Sequence, residues 1–479
     1  MTKREFLKTM AWGSAGLMLP SAKVWGANDR INVGVIGLRG KGNHHMQLFS
    51  EIPGVQVTAL CDVDSDILDQ RVKEMQEKNK VKAYTDVREL LDDKHIDAVV
   101  IATPNHWHSL MAVWACQAGK DVYVEKPVSH NVWEGGQIVK AAQKYKRIVQ
   151  AGTQSRSDEA LYQAFDYLQS GQLGKILLAH GLCYKPRKSI GRVDGPQPIP
   201  EQIDYDLWTG PAPLKPLRRE QLHYDWHWQW DTGNGDIGNQ GVHEMDMCRW
   251  VLGYDKLPEQ VFSIGGRFGY RDDGETPNSQ IAVFDYQPAP IIFEVRGLPV
   301  RKDADYMDNY KGVRIGIVVK CQEGYFAGGG GGGWMYDNDG NRIQQFSSAG
   351  GGGHPQNFID AMRSRKTGDL KAPIREGHLS SALSHIANIS HRIGHHSTPQ
   401  VIQESIGNKF VNDTFRRFEE HLFANWVDPE KSRPVLGPNL TLNPETERFV
   451  SREIYDAEYW ANRLVNGSYR KPFVMPDKV

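Results

Sequence analysis

Between Ile31 and about residue 154, short β-branched runs alternate with helix-length amphipathic stretches, and nothing else in the chain restricts its fold as much. The runs are Ile31–Ile36, Val55–Cys61, 98–102, 122–124 and 148–151. Helical periods fill the intervals 64–78, 109–118 and 132–145. Strands that read as continuous apolar runs are buried on both faces, which is the condition of a parallel sheet covered by helices. Parallel neighbours need crossovers, and these are right-handed. The first part of the chain is therefore expected to be a doubly wound parallel sheet.

Beyond residue 155 the pattern changes. A helix over 158–169 leads to a strand, Ile176–Tyr184, and then to a loop over 185–233 rich in Pro, Arg and Trp. After a helix around His243 come alternating runs at 260–268, 279–286, 291–298 and 313–321, with no long helices between them. That spacing predicts an open, mainly antiparallel sheet. The fold class is α/β: an N-terminal Rossmann domain plus a C-terminal α/β domain. The expected units are an export signal at 1–27, a dinucleotide-binding domain at 28–155, a substrate and oligomerisation domain at 156–400, and an extension at 401–479 packed on the body. Glycine tracts at 328–333 and 350–353 read as flexible surface loops.

Lys and Arg number 57 against 58 Asp and Glu. This near-neutral balance argues against nucleic acid as the main partner. The five cysteines are scattered, with no CxxC pair, so neither a disulfide framework nor a zinc site is expected. Of the thirteen tryptophans, several crowd between Trp208 and Trp250; aromatic faces suit sugar rings, and packing in the core is the alternative for each one. No run is long enough to span a bilayer. At the N-terminus, the basic residues Lys3, Arg4 and Lys8 precede a short apolar stretch to Pro20 and then small residues. This reads as an export signal. It resembles a twin-arginine signal with Lys3 in place of the first arginine, and it implies a periplasmic or otherwise exported protein that begins near Asn28.

The chemistry lies in three places. Gly37, Arg39, Gly40 and Gly42 form a glycine-rich turn between a strand and a helix, the context of a dinucleotide fingerprint. Gly37 and Gly42 match its first and third glycines. Arg39 stands at the middle position, with Gly40 beside it to let backbone approach a pyrophosphate. Phosphate would rest on the helix N-terminus. Asp62 ends the second strand, where a carboxylate accepts from ribose hydroxyls and repels a 2′-phosphate. NAD is the expected cofactor, with NADP as the alternative because Arg39 acts the other way. A plain βα turn with a solvated aspartate is the bland reading.

Thr103, Pro104 and Asn105 follow the fourth strand, where ligands of such sheets bind, and they are assigned to the nicotinamide ribose. His106 and His108, two apart with no carboxylate near, make a poor metal set; His108 is placed on the cofactor side and no metal is expected. Glu125 and Lys126 end the next strand ahead of Pro127. A cation there stabilises the alkoxide that develops as hydride leaves an alcohol. The third place is 233–250. Asn239 and His243 stand four apart, on one face of a continuous helix. A histidine suits removal of the hydroxyl proton. Asp236, Asn239, His243 and Asp246 form a polar stripe on this helix.

These residues resemble the glucose–fructose oxidoreductase/inositol dehydrogenase (Gfo/Idh/MocA) family from Ile31 to about Gly394. The resemblance implies that Lys126, in the family's E-K-P motif, contacts substrate and nicotinamide. It also implies that His243 is the acid/base. The family's D-x-x-x-H aspartate is Asn239 here, which removes a charge that Asp236 or Asp246 would have to replace. The implied activity is hydride transfer at a ring carbinol of a sugar, glycoside or cyclitol. Two alternatives stay open: an NAD-dependent glycosidase using transient oxidation and elimination, and a non-catalytic nucleotide- or sugar-binding module. The resemblance further implies a homo-oligomer built through the C-terminal sheet.

Overall fold

The structure, a computed structural model, describes residues 30–77, 80–451 and 453–479. The export segment lies outside these residues. Six strands form the first sheet: β1 (Ile31–Ile36), β2 (Val55–Cys61), β3 (Lys82–Tyr84), β4 (Ala98–Ile101), β5 (Asp121–Val124) and β6 (Val149–Ala151). Their order is β3-β2-β1-β4-β5-β6 and every pairing is parallel. The order reverses beside β1, so the carboxyl ends of β1 and β4 open a crevice for a ligand. Side chains start several of the helices: Asp64 accepts from the Ile67 N–H and Asn131 from the Glu134 N–H, each satisfying a free amide of the first turn. The short strand β3 and the helix Val87–Asp92 had no sequence signal.

The second sheet is twelve-stranded and mixed. Its centre is β7 (Ile176–Tyr184), flanked by β10 (Ile291–Arg296) in parallel and β11 (Ile315–Cys321) antiparallel. β8 (Gln260–Gly266) and β9 (Ser279–Asp285) continue the sheet on the β10 side. On the other side, β12 (Gly324–Gly329), β13 (Gly332–Asp337) and β14 (Arg342–Ser347) close it with hairpins. The tract 328–333 is therefore not a loose loop. Gly328 and Gly333 pair across the β12–β13 hairpin, where a Cβ at either would strike the opposing backbone. Close backbone approach explains these glycines better than flexibility.

One face of β7, through Ala179 and Cys183, packs on the helices Glu159–Gln169, Gly241–Leu252 and Ile374–Arg392. The opposite face, through Leu178, Ile281, Val283 and Ile292, is covered by Ile402, Phe415 and Phe418 of the helices Pro399–Ser405 and Lys409–Ala424. Part of this sheet face is thus covered by the chain's own C-terminal helices. The domain boundaries also interleave. Helix His354–Ser364 packs through Phe358 and Ile359 on Val33, Phe49 and Tyr123 of the first sheet, and Phe473 and Met475 near the C-terminus join the other face of that sheet. All five cysteines are buried and unpaired. Among the described residues, no helix is long and apolar enough to cross a membrane.

Candidate active site

The crevice at the carboxyl ends of β1, β4 and β5 is a cleft of about 530 Å³. Gly37 turns the chain out of β1 at φ +82°, where a Cβ would lie 2.8 Å from the Ala102 carbonyl oxygen. A Cβ at Gly42 would collide with the Gly37 carbonyl. Gly40 opens the helix Gly40–Ser50, lines the cleft and has empty space before it. No side chain caps this helix, so its first amides are left for an anion. These features fit a dinucleotide whose pyrophosphate rests on the turn.

Asp62 accepts from the Leu38 N–H (2.7 Å) and the Asp64 N–H (3.0 Å). Burial pushes its carboxyl up to about 6, against the pull of those two bonds. Arg39 does not reach across to Asp62. Its guanidinium is paired with the buried carboxylate of Asp64, which His223 also approaches at 3.4 Å. The cation that would have welcomed a 2′-phosphate is already engaged.

At the other end, Thr103, Pro104 and Asn105 line the cleft as assigned. The helix begins at Asn105, four residues ahead of the sequence estimate, so both histidines are helical. His108 is buried with Nδ1 2.6 Å from the Pro127 carbonyl and Nε2 2.7 Å from the Thr103 carbonyl. It ties the two loops that face the nicotinamide, a positioning role. His106 lies between the carbonyls of Trp208 (3.1 Å) and Thr232 (3.4 Å), and burial pulls its pKa down to about 3. Asn105 donates to Asn234 Oδ1 at 3.0 Å, which joins the nicotinamide end to the second domain.

Glu125 is buried inside a cluster. Its carboxylate meets His45 Nε2 at 2.7 Å, Gln154 Nε2 at 2.9 Å and Lys41 Nζ at 3.4 Å. Burial alone would raise its pKa, but the His45 bond and the charges of Lys41 and Lys126 hold it well below the usual carboxylate range. Its first duty is to fasten the end of β5 to the helix Gly40–Ser50. His45, Lys41 and Gln154 escaped the sequence reading because nothing local links them to Glu125.

Lys126 is half-buried, lines the cleft and donates through Nζ to the Asn239 carbonyl. Burial lowers its pKa, partly opposed by Glu125. The stretch expected as one helix breaks at Gln240 into Gly235–Asn239 and Gly241–Leu252. Asn239 and His243 therefore do not share a hydrogen bond. Asn239 lines the cleft, and among the described residues its side chain has no hydrogen-bond partner. His243 follows, half-buried, with Nδ1 unpartnered. Burial, and then the charge of Lys126, lower its pKa to about 3. Its imidazole is neutral at neutral pH, and the same burial makes it a weaker base than a free imidazole. Asp236 is paired with Arg187, and Asp246 with Arg156 and Ser380. Neither carboxylate is free to replace the charge missing at Asn239.

Residues that the sequence did not single out complete the walls: Tyr224, Trp226 and His227, with His227 stacked on Trp226 at 3.6 Å. The crowding of aromatic residues in this loop was the available signal. Trp208 and Trp228 of the same stretch are buried, and Trp208 also borders the cleft. Among the described residues, no group of His, Cys, Asp and Glu is placed to hold a metal.

Residues 31–153 match the family model described as an oxidoreductase family with an NAD-binding Rossmann fold. Residues 179–312 match its companion, the oxidoreductase family C-terminal alpha/beta domain. The chain belongs to the Gfo/Idh/MocA oxidoreductase family. It thereby carries the family's NAD-binding Rossmann domain, whose residues form much of the cleft wall. Inositol 2-dehydrogenase of Salmonella typhimurium is 30% identical over 181 residues, 37% of this chain and 52% of that enzyme. The match thus spans about half the length of that relative. Myo-inositol 2-dehydrogenase of Thermotoga maritima is 26% identical over 288 residues, 56% of this chain and 74% of the enzyme. A glycosyl hydrolase family 109 protein of Shewanella pealeana is 28% identical over 212 residues, covering 38% and 45%. In fold, this Gfo/Idh/MocA member is similar to the WlbA dehydrogenase of Bordetella pertussis, solved with NADH and UDP-GlcNAcA. The TM-score is 0.55 at 17% identity over 74% of this chain and 94% of that one.

Proposed function

We propose that the protein oxidises or reduces a ring carbinol or ketone of a sugar, glycoside or cyclitol, with NAD as the hydride partner. One observation carries this reading. Lys126 from the parallel sheet and Asn239 from the second domain line the cofactor cleft together, and His243, four residues beyond Asn239, is near enough that, after burial, the Lys126 charge lowers its pKa. The bound nicotinamide supplies the hydride acceptor. The chain's residues do the rest. Lys126 offers an ammonium to the substrate oxygen and stabilises the charge that grows there as the C–H bond breaks. His243, neutral at working pH, takes the hydroxyl proton onto its imidazole and returns it in the reverse direction. Asn239 has a free amide for a neighbouring hydroxyl. Tyr224, Trp226 and His227 give apolar and aromatic surface for a ring. The inositol dehydrogenases among the relatives support a polyhydroxylated ring as substrate.

Lys126→Ala and His243→Ala are each expected to lower turnover about a hundredfold or more, with the circular dichroism spectrum retained. Near-normal turnover on every tested polyol in both variants would end this assignment.

A second reading rests on a distinct observation. Residues near 203 cross from the second domain onto the adenosine end of the cleft: Ser65 N–H bonds the Gln202 carbonyl (3.0 Å) and Asp204 N–H the Val63 carbonyl (3.0 Å). Such a strap suits a cofactor kept through many turnovers, as a net hydrolysis by oxidation, elimination and re-reduction requires. The glycosyl hydrolase family 109 relatives point the same way. Turnover of a glycoside with no net NADH distinguishes this from ordinary dehydrogenation. We also propose export, on the residues of 1–27; N-terminal sequencing of periplasmic protein tests it, and a chain retaining Met1 in the cytoplasm refutes it.

A further inference from the structure

Glu244 is a buried acid for which the chemistry above has no use. It follows His243 on the helix Gly241–Leu252 and packs on the second sheet, where a Cβ at Gly181 of β7 would lie 3.3 Å from the Glu244 Cβ. Oε1 accepts from Gln240 Nε2 at 3.0 Å, and Oε2 has no partner among the described residues. A buried carboxyl with one oxygen unpaired is unfavourable, and an apolar side chain would avoid the loss. Gln240 is also the residue at which the two helices break, and its amide oxygen lies 3.5 Å from Lys185 Nζ. Its side chain is thus fixed from two directions. The residue before it, Asn239, ends the first helix, where carbonyls lack an intrahelical partner. That carbonyl receives the Lys126 ammonium.

Glu244 and Lys126 therefore meet across this junction, and each acts on the other. Burial lowers the Lys126 pKa, Glu125 and Glu244 raise it, and Lys41 and Lys185 lower it. Burial pushes the Glu244 carboxyl up to about 8, against the Gln240 bond and the charges of Lys126 and Lys185. The remaining titratable groups beside this carboxyl are Cys183 on β7 and Cys248 one turn along its own helix, both thiols held neutral by burial. Asp246 on the same helix is paired with Arg156. The two acids beside Lys126 thus differ. Glu125 is engaged by His45, Gln154 and Lys41, whereas Glu244 keeps one oxygen unpaired.

We propose that Glu244 is a positioning residue for Lys126, on the reading of Lys126 as the cation of the proposed hydride transfer: anchored by Gln240 at the helix break, its carboxyl keeps the ammonium charged and seated on the Asn239 carbonyl. Full-length protein is labelled with trace acetic anhydride from about pH 6 to about pH 11, and acetylation of Lys126 is read by peptide mass spectrometry. Only the neutral amine reacts, so the midpoint of the rise reports the Lys126 pKa without any substrate. Glu244→Gln keeps an oxygen for Gln240 but removes the charge, and the midpoint is expected about one pH unit lower. Gln240→Ala, at a half-buried position, removes the bond that favours the ionised carboxyl and should move the midpoint the same way by less; this variant carries the test if Glu244→Gln does not fold. A midpoint unmoved in the folded variants overturns the proposal. In kinetics with NAD and myo-inositol, the alkaline limb of the kcat/KM profile should fall at lower pH in Glu244→Gln by the same amount. A lower rate with the limb in place would mark a merely structural role and would equally overturn it. If the labelling midpoint moves while the parent oxidises no polyol, the pairing stands and the function proposed above fails.

Discussion

At the scale of single residues, two side chains divide the work that one would do in a simpler site. Asp62 presents a carboxylate at the end of β2, and Asp64 neutralises Arg39 two residues further on. Discrimination against NADP therefore depends on both. Asp64→Asn keeps an oxygen to cap the helix Ser65–Gln76 but frees the Arg39 charge. Its NADP affinity is expected to rise about tenfold relative to NAD, roughly 1.4 kcal/mol; an unchanged preference in a titration with both cofactors would show that Asp62 suffices. Asn239 is a comparable case. Its carbonyl is used by Lys126 and its amide is unused, so Asn239→Ala should raise KM about tenfold with a smaller effect on kcat, the loss of one substrate hydrogen bond. A fall in kcat with constant KM would mean instead that Asn239 works through Lys126.

At the scale of elements, the helix Lys409–Ala424 is the main addition to the two-sheet plan. It is amphipathic, and its buried residues Val411, Phe415, Phe418 and Leu422 lie three or four apart, on one face against β8–β10. Phe415 is fully buried. Phe415→Ala should cost about 3–5 kcal/mol, read as a lower denaturation midpoint, and should leave NAD affinity intact in protein that remains folded. A midpoint within error of the parent would mean that this helix contributes little to holding the sheet. The apolar spacing of this helix is visible in the sequence, whereas its landing place is not. No local pattern tells which sheet face such a helix will cover.

At the scale of the whole molecule, burial of histidines sets the response to acid. His106, His385 and His421 are buried with pKa values lowered to about 3, and His354 with one lowered to about 4, burial being the largest cause in each. Between these values and about 6.5 the unfolded chain binds more protons than the folded one, so stability falls as pH falls through that window. Each such group costs about 2 kcal/mol by about pH 5. Asp62 and Glu244 act oppositely, since burial raises them to about 6 and about 8, but the histidines outnumber them. The melting temperature should drop several degrees from pH 7 to pH 5. A flat profile would show that these rings are protonated in the fold.

Much of the first domain was legible because its signals are local. A strand buried on both faces must be apolar, and a tight βα turn must use glycine at Gly37 and Gly42. The motif order likewise placed Lys126 beyond β5 and marked His243. What the tertiary structure alone decided are matters of partnership. Whether Asn239 faces His243 depends on the break at Gln240, where Gly241 lets the Phe293 ring press on the backbone. Whether Asp236 and Asp246 are free depends on Arg187 and Arg156, 49 and 90 residues away. Whether glycines 328–333 are loose depends on the strand each one meets. Local sequence sets the backbone preferences and the donor and acceptor inventory; long-range contacts decide which of those groups are already spent on the fold and which remain for chemistry.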